Sequence, residues 1–294
     1  MFAYRTVLLT IAGLTALTQI AAAAPPPAPA ALASLVPAPT PSTLPAAAAS
    51  TVPAPLVQPL TAAEQKDPAA ALAAVKKTIG DDWSKYSSLY ISGVAQVQNQ
   101  ALAFTYAADL RTGFNRMIVL LPHNAGTYEY GVDRNGGWSA ANGHVTPFAA
   151  PAAAVKTAMY INRYGFLNPA DTATLKEVGV DPKLGDRIIV TPAGGAQALV
   201  LIKPSTSLVS AVQYANGQID VYADYRRVQN LLFPYRMMQG SNVRNLSVFQ
   251  ATKVEFGTQS PDNAAVSRPN LPIATPAPRR KAALTPAPKP TRHV

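Results

Sequence analysis

The 294-residue chain contains no cysteine. That excludes disulfide cross-links, thiolate metal sites and attachment of a lipid through a cysteine. Histidine is almost as scarce, with three in the whole chain. His123 and His144 fall on separate predicted turns without a His-x-x-x-His or cysteine partner, and they read as solvated loop side chains. There is no Gly-x-Ser-x-Gly elbow, no Walker-type loop and no Gly-x-Gly-x-x-Gly. Asp133-Arg134-Asn135-Gly136-Gly137 opens like a calcium loop, but His144 stands where the bidentate glutamate belongs, so a hairpin turn fits better. No catalytic residue, metal or cofactor is assigned.

Charge is unevenly spread. Residues 25–60 carry no charged side chain, and no acid follows residue 267. The formal net charge of +10 therefore belongs mostly to the ends: Arg5, Arg268, Arg279, Arg280, Lys281, Lys289 and Arg292 leave 18 basic against 15 acidic residues between them. Such a balance argues against a nucleic-acid surface.

Composition divides the chain into four parts. Arg5, the apolar run Val7 to Ile20 and the small residues Ala21 to Ala24 have the layout of a secretory signal, read as residues 1–23. The run is too short for a membrane span, so the mature chain is expected to be soluble and periplasmic. Residues 24–60 form an Ala/Pro-rich tether, extended and without a core; residues 268–294 form a basic Pro-rich tail. Together, residues 25–60 and 269–290 hold 18 of the 28 prolines. The tail could meet an anionic envelope surface or serve as a solvated end. One domain remains, residues 61–267, long enough to bury a sizeable core.

Asp67 as N-cap, Pro68 at the first position and Gly80 as a stop predict a helix with Leu72, Val75 and Ile79 on its apolar face. Strands are predicted at 101–110, 114–121, 126–132, 185–191, 197–203, 207–214, 218–228, 231–239 and 243–256, separated by turn residues such as Asn135-Gly136-Gly137, Asn142-Gly143 and Asn216-Gly217. In the first of them Leu102, Phe104, Tyr106, Ala108 and Leu110 share one face. Successive hairpins mean a large antiparallel sheet. Pro151 to Tyr164, with Val155, Ala158, Met159 and Ile161 at helical spacing, predicts a helix lying across it.

The most distinctive stretch is Val221 to Met237. Asp224 and Arg226 stand two apart on a strand, where an ion pair is the plainer account than acid chemistry. Asp81-Asp82-Trp83 reads likewise as a solvated turn with a packed tryptophan. Taken together, the short helix, a strand ending near Gly93, the Gly137-Trp138 turn, the apolar helix, the hairpin from Ile188 to Ile202 and the run Tyr222 to Pro234 resemble the outer-membrane lipoprotein-sorting superfamily of LolA and LolB. The resemblance spans about residues 65–270 and is nearest to uncharacterised bacterial relatives with a D-Y-R-x-V hairpin ending in proline, here Asp224, Tyr225, Arg226 and Pro234. Asn230 stands where those relatives have glycine, and Val266 where they have an aromatic. Some relatives continue into an aspartic protease domain; Asp171-Thr172-Ala173 is no match for its motif, and the role is not carried over.

The resemblance implies a mainly β fold of the α+β kind: a curved antiparallel sheet forming an incomplete barrel, with short helices closing the open side over an apolar cavity. It implies a non-enzymatic carrier or sensor for a lipid, a lipoprotein acyl chain or a similar apolar ligand. The side chains expected to line that cavity are Leu102, Phe104, Tyr106, Leu110, Tyr128, Tyr130, Trp138, Met159, Tyr222 and Phe233. Each of them serves equally well as ordinary core beneath the helices. The alternative from a different class is a non-catalytic envelope scaffold whose Pro-rich arms dock partners.

Overall fold

A computed structural model describes residues 58–97, 100–168, 171–181, 185–241 and 246–274. The expected signal sequence, the expected tether as far as residue 57 and the expected tail from residue 275 lie outside the described residues. Helix α1 spans Pro68–Ile79. The Asp67 carboxylate accepts the Ala69 and Ala70 amides at 2.9 and 3.3 Å, satisfying donors that the first turn leaves open. Ala71, Leu72, Val75 and Ile79 are buried. Gly80 ends the helix at φ +133°, and a Cβ there would stand 2.7 Å from the Asn230 carbonyl oxygen. The residue is glycine because the turn near Asn230 leaves no room for more. A 3-10 turn, Asp81–Lys85, follows and buries Trp83.

The strands are β1 (Ser88–Val97), β2 (Gln100–Asp109), β3 (Asn115–Leu120), β4 (Thr127–Asp133), β5 (Gly136–Ala141) and β6 (His144–Pro147), then β7 (Ala173–Asp181), β8 (Gly185–Pro192), β9 (Ala198–Lys203), β10 (Leu208–Tyr214), β11 (Ile219–Val228), β12 (Leu231–Gly240) and β13 (Ser247–Gly257). They form one antiparallel sheet in the order β6-β5-β4-β3-β2-β1-β13-β12-β11-β10-β9-β8-β7. It is therefore two meanders joined along β1 and β13, where Leu89 faces Phe256 and Ile91 faces Val254. The sheet curves without closing into a barrel. Helix α2, Ala152–Asn162, carries the chain from the β6 edge to the β7 edge and packs on β4, β5 and β8.

Three strands arise where good strand formers are interrupted by glycine or proline. β5 is Gly-Gly-Trp-Ser-Ala-Ala, β6 is His-Val-Thr-Pro, and β7 is Ala-Thr-Leu-Lys-Glu-Val-Gly-Val-Asp. Trp138, Val145 and Leu175 favour strand, Gly136, Gly137, Pro147 and Gly179 oppose it, and pairing with a formed neighbour decides the outcome. β1 does not end near Gly93. It continues to Val97 past a register shift between Ser92 and Gly93, an irregularity that adds local bend and twist.

The inner face, turned toward α2, holds the main core. Phe104 meets Phe249 edge-on at 5.5 Å between centroids, and Trp83 packs on Tyr164 at 4.7 Å and Phe256 at 5.5 Å. On the outer face Arg116 pairs with Glu129 at 2.7 Å, and its Nη1 donates to the Ala264 carbonyl at 2.8 Å. There the chain beyond residue 267 is packed. Helix α3, Asn263–Val266, sits on β2, β3 and β4. The Arg268 guanidinium then donates to both oxygens of buried Asp133, at 2.7 and 2.8 Å. The Val145 amide donates to the Pro272 carbonyl at 2.9 Å and the Ala274 amide to the Val145 carbonyl at 2.8 Å, so this strap pairs with the free edge of β6. At the other end Leu60 is buried and its amide donates to the Pro204 carbonyl at 2.7 Å.

Candidate functional site

A row of cross-strand partners, Ile91 on β1, Tyr106 on β2, Met117 on β3 and Tyr130 on β4, runs over the inner face. The Tyr130 hydroxyl donates to Met117 Sδ at 2.9 Å. Facing this row, α2 presents Ala154, Thr157, Ala158 and Ile161, which recur at helical spacing on one side. Two of the four are alanine. Short side chains there leave a gap between helix and sheet, and the result is a cavity of about 130 Å³, completed by Leu89, Tyr222, Phe233 and Met237.

Both ends of α2 are tied. The Thr157 hydroxyl donates to the Ala153 and Ala196 carbonyls at 3.0 and 2.7 Å, and the Ala196 amide donates to the Ala153 carbonyl at 3.1 Å. Beyond its last turn Arg163 pairs with Asp171 at 2.6 Å and donates to the Arg111 carbonyl at 3.0 Å. At Gly113, φ +79°, a Cβ would fall 2.1 Å from the Met159 carbonyl oxygen, so glycine lets the β2–β3 turn meet the helix backbone.

One end of the cavity is polar. Asp220, on β11, is 5% exposed. Its Oδ2 accepts the Tyr214 hydroxyl at 3.0 Å and its Oδ1 accepts Gln218 Nε2 at 3.3 Å. Gln239 lies directly across on β12 and also lines the cavity. Among the described residues no cation forms an ion pair with Asp220. Burial pushes its carboxyl up to about 6, against the opposing pull of those two hydrogen bonds. Tyr106, Tyr130, Tyr164, Tyr214 and Tyr222 stand around it, each phenol raised first by burial and further by the Asp220 charge, so all five stay neutral.

Of the side chains singled out from sequence, Tyr106, Tyr130, Tyr222 and Phe233 come together on the cavity. Leu102, Phe104, Leu110 and Tyr128 are buried core and do not border it. Met159 lies on α2 beside Gly113, outside the lining set. Trp138 is on the outer face: Tyr130 pairs with Ser139, so the next residue back points the other way, into a small cluster with Ala140 and Val145. Asp220, Gln218 and Gln239 were not anticipated. The signal was an acid two residues before Tyr222, a spacing that puts both on one face of β11.

The hairpin motif has a different position and job. Asp224 has φ +55°, a kink within β11, and Arg226 clasps its carboxylate with Nε and Nη2 at 3.0 and 2.7 Å on the exposed side. Arg226 also lies 4.8 Å above the Tyr235 ring. The Tyr225 hydroxyl donates to the Val209 carbonyl at 2.7 Å, and Tyr225 faces Pro234 across the hairpin. His123 and His144 are exposed, and the Asp133 turn is closed by the Asn135 amide at 2.8 Å. No group of three or more His, Asp or Glu able to hold a metal occurs among the described residues, and no helix among them is long and apolar enough to cross a membrane.

No protein-family model matches the sequence, and no curated protein matches it. Among solved structures the chain is similar to a LolA superfamily protein from Nitrosomonas europaea, at 8% identity and TM-score 0.43, over 67% of this chain and 96% of that one. It is similar to a DUF1329 family protein from Desulfovibrio piger at 11% identity and TM-score 0.42, over 67% and 98% of the two chains. A chain of the Pseudomonas aeruginosa MucA/MucB complex matches at 12% identity and TM-score 0.24, over 71% of this chain and 64% of that one. At such values the likeness concerns the course of the chain and carries nothing about ligand or role.

Proposed function

We propose that this chain is an exported, periplasmic binding protein that holds an apolar ligand, a lipid or a lipoprotein's acyl chain, between the inner face of its sheet and α2, as a carrier or sensor. The observation that carries the reading is the gap beneath an alanine-faced helix. An apolar occupant buries its own surface against that lining, at about 25 cal/mol per Å². The volume is below the roughly 300–1,000 Å³ of ordinary ligand sites, so a long chain enters only if α2 moves outward. Export rests on Arg5, the run Val7 to Ile20 and the small residues after it. The Ala/Pro-rich tether gives the domain reach, and the basic tail offers charge to an anionic envelope surface. No catalytic step is assigned to the site.

The test is native mass spectrometry, with lipid extraction, on the mature protein purified gently from its own envelope. A stoichiometric lipid adduct is expected, and Ala158→Phe, which fills the gap from the helix side, removes it while circular dichroism stays unchanged. A bare protein mass that takes up no added lipid overturns the reading, as does an adduct that survives Ala158→Phe.

A further inference from the structure

We infer that Asp220 selects the head of the ligand: the cavity takes an apolar molecule that carries a cationic amine, seated against the Asp220 carboxylate, and discriminates against anionic heads. This rests on the cavity being the binding site and names the chemical class that enters it.

A carboxylate offers about four lone-pair positions. Asp220 is almost shut off from water, and the two protein side chains that bond to it are both neutral donors, Tyr214 and Gln218. Leaving a buried charge without a counter-charge is costly, and the fold does not supply one here among the described residues. An ammonium group brings three donors and the missing charge; a hydroxyl brings one donor and no charge; a carboxylate or phosphate brings repulsion. The surrounding phenols are neutral, so no other charge near Asp220 alters that ranking. Gln239, across the strand pair, can orient the same head group. The same lining includes Leu89, Ile91, Phe233 and Met237, apolar side chains that suit a hydrocarbon tail. One cavity therefore combines a buried carboxylate with apolar walls, the complement of an amphiphile with an amine head.

The experiment compares octylamine, octanol and octanoate by isothermal titration calorimetry on the full mature chain at pH 7.5, with the same set on Asp220→Asn. Octylamine should bind about tenfold or more tighter than octanoate, with octanol between, as expected for one favourable and one unfavourable charge contact. In Asp220→Asn the three affinities should fall within about threefold of one another, because the shared tail contact is all that remains. Octanoate binding as tightly as octylamine, or an amine preference that survives Asp220→Asn, overturns the proposal while leaving the apolar cavity in place. Failure of the wild type to bind any of the three overturns the cavity reading and this one together. The wild-type ranking decides the matter by itself if the variant misfolds, and Asp220→Glu, which keeps the charge, should keep the ranking.

Discussion

Asp133 on the outer face and Asp220 on the inner face are nearly equally buried, at 3% and 5% exposure. They differ in what meets them. Asp133 receives two nitrogens of Arg268, delivered by the strap that follows α3, and the Asn135 amide. Burial raises its pKa, but the Arg268 hydrogen bonds, the Asn135 amide and the Arg268 charge outweigh it, and the carboxyl is held below the usual range. Asp220 has two neutral donors and is pushed up to about 6. The first carboxylate fastens the chain to itself. The second has no counter-charge among the described residues, and its burial works against the ionised form.

The contrast can be broken most strongly at the strap. Arg268→Ala leaves Asp133 buried and unpaired, and unfolding in urea should show a loss of about 3–4 kcal/mol. Adding Asp133→Asn should restore more than half of it. Because Asp133 titrates low in the fold, the stability that its pairing contributes is present above its unfolded pKa of about 3.9 and is lost as pH falls through its lower folded value. A loss unchanged by the second substitution would mean that the strap, and not the charge pair, matters.

The next largest effect has the opposite sign. Asp220 has a raised folded pKa, so its favourable contribution is complete below about pH 3.9 and disappears as pH rises through about 6. Asp220→Asn should therefore match the wild type near pH 4 and exceed it near pH 8 by up to about 3 kcal/mol. Equal differences at both pH values, measured by urea unfolding, would remove the inner half of the comparison. The smallest effect belongs to a third carboxylate. Asp224 and Arg226 are 37% and 50% exposed, and Arg226→Ala should cost about 0.5 kcal/mol or less in the same assay.

Much of the fold was legible because the signals were local. Asp67, Pro68 and Gly80 delimit α1 without help from any neighbour, and the alternation from Leu102 to Leu110 marks the inner face of β2. The large antiparallel sheet follows from the turn residues between successive strands. β5, β6 and β7 were not legible, because Gly136, Gly137, Pro147 and Gly179 interrupt short runs around Trp138, Val145 and Leu175 that only pairing with a formed neighbour turns into strand. The site was half legible. Tyr106, Tyr130, Tyr222 and Phe233 follow from alternation, but which aromatics border a gap and which fill the core depends on where α2 is small. Trp138 could have been placed from its sequence: the two-residue turn at Arg134 and Asn135 sets Tyr130 opposite Ser139 and so turns Trp138 outward. Asp220 could have been as well, since it stands two residues before Tyr222 and shares its face.

The pairing of β1 with β13 has a kinetic consequence. Every other contact between neighbouring strands in the sheet joins consecutive segments, so each meander can assemble by zipping hairpins. The central seam joins segments some 160 residues apart, and its closure entropy must be met before its contacts reward it. Folding is therefore expected to be slow at this one step. Until the seam closes, the row from Ile91 to Tyr130 and the strand bearing Asp220 belong to separate halves. The cavity comes into being last, as the product of their union.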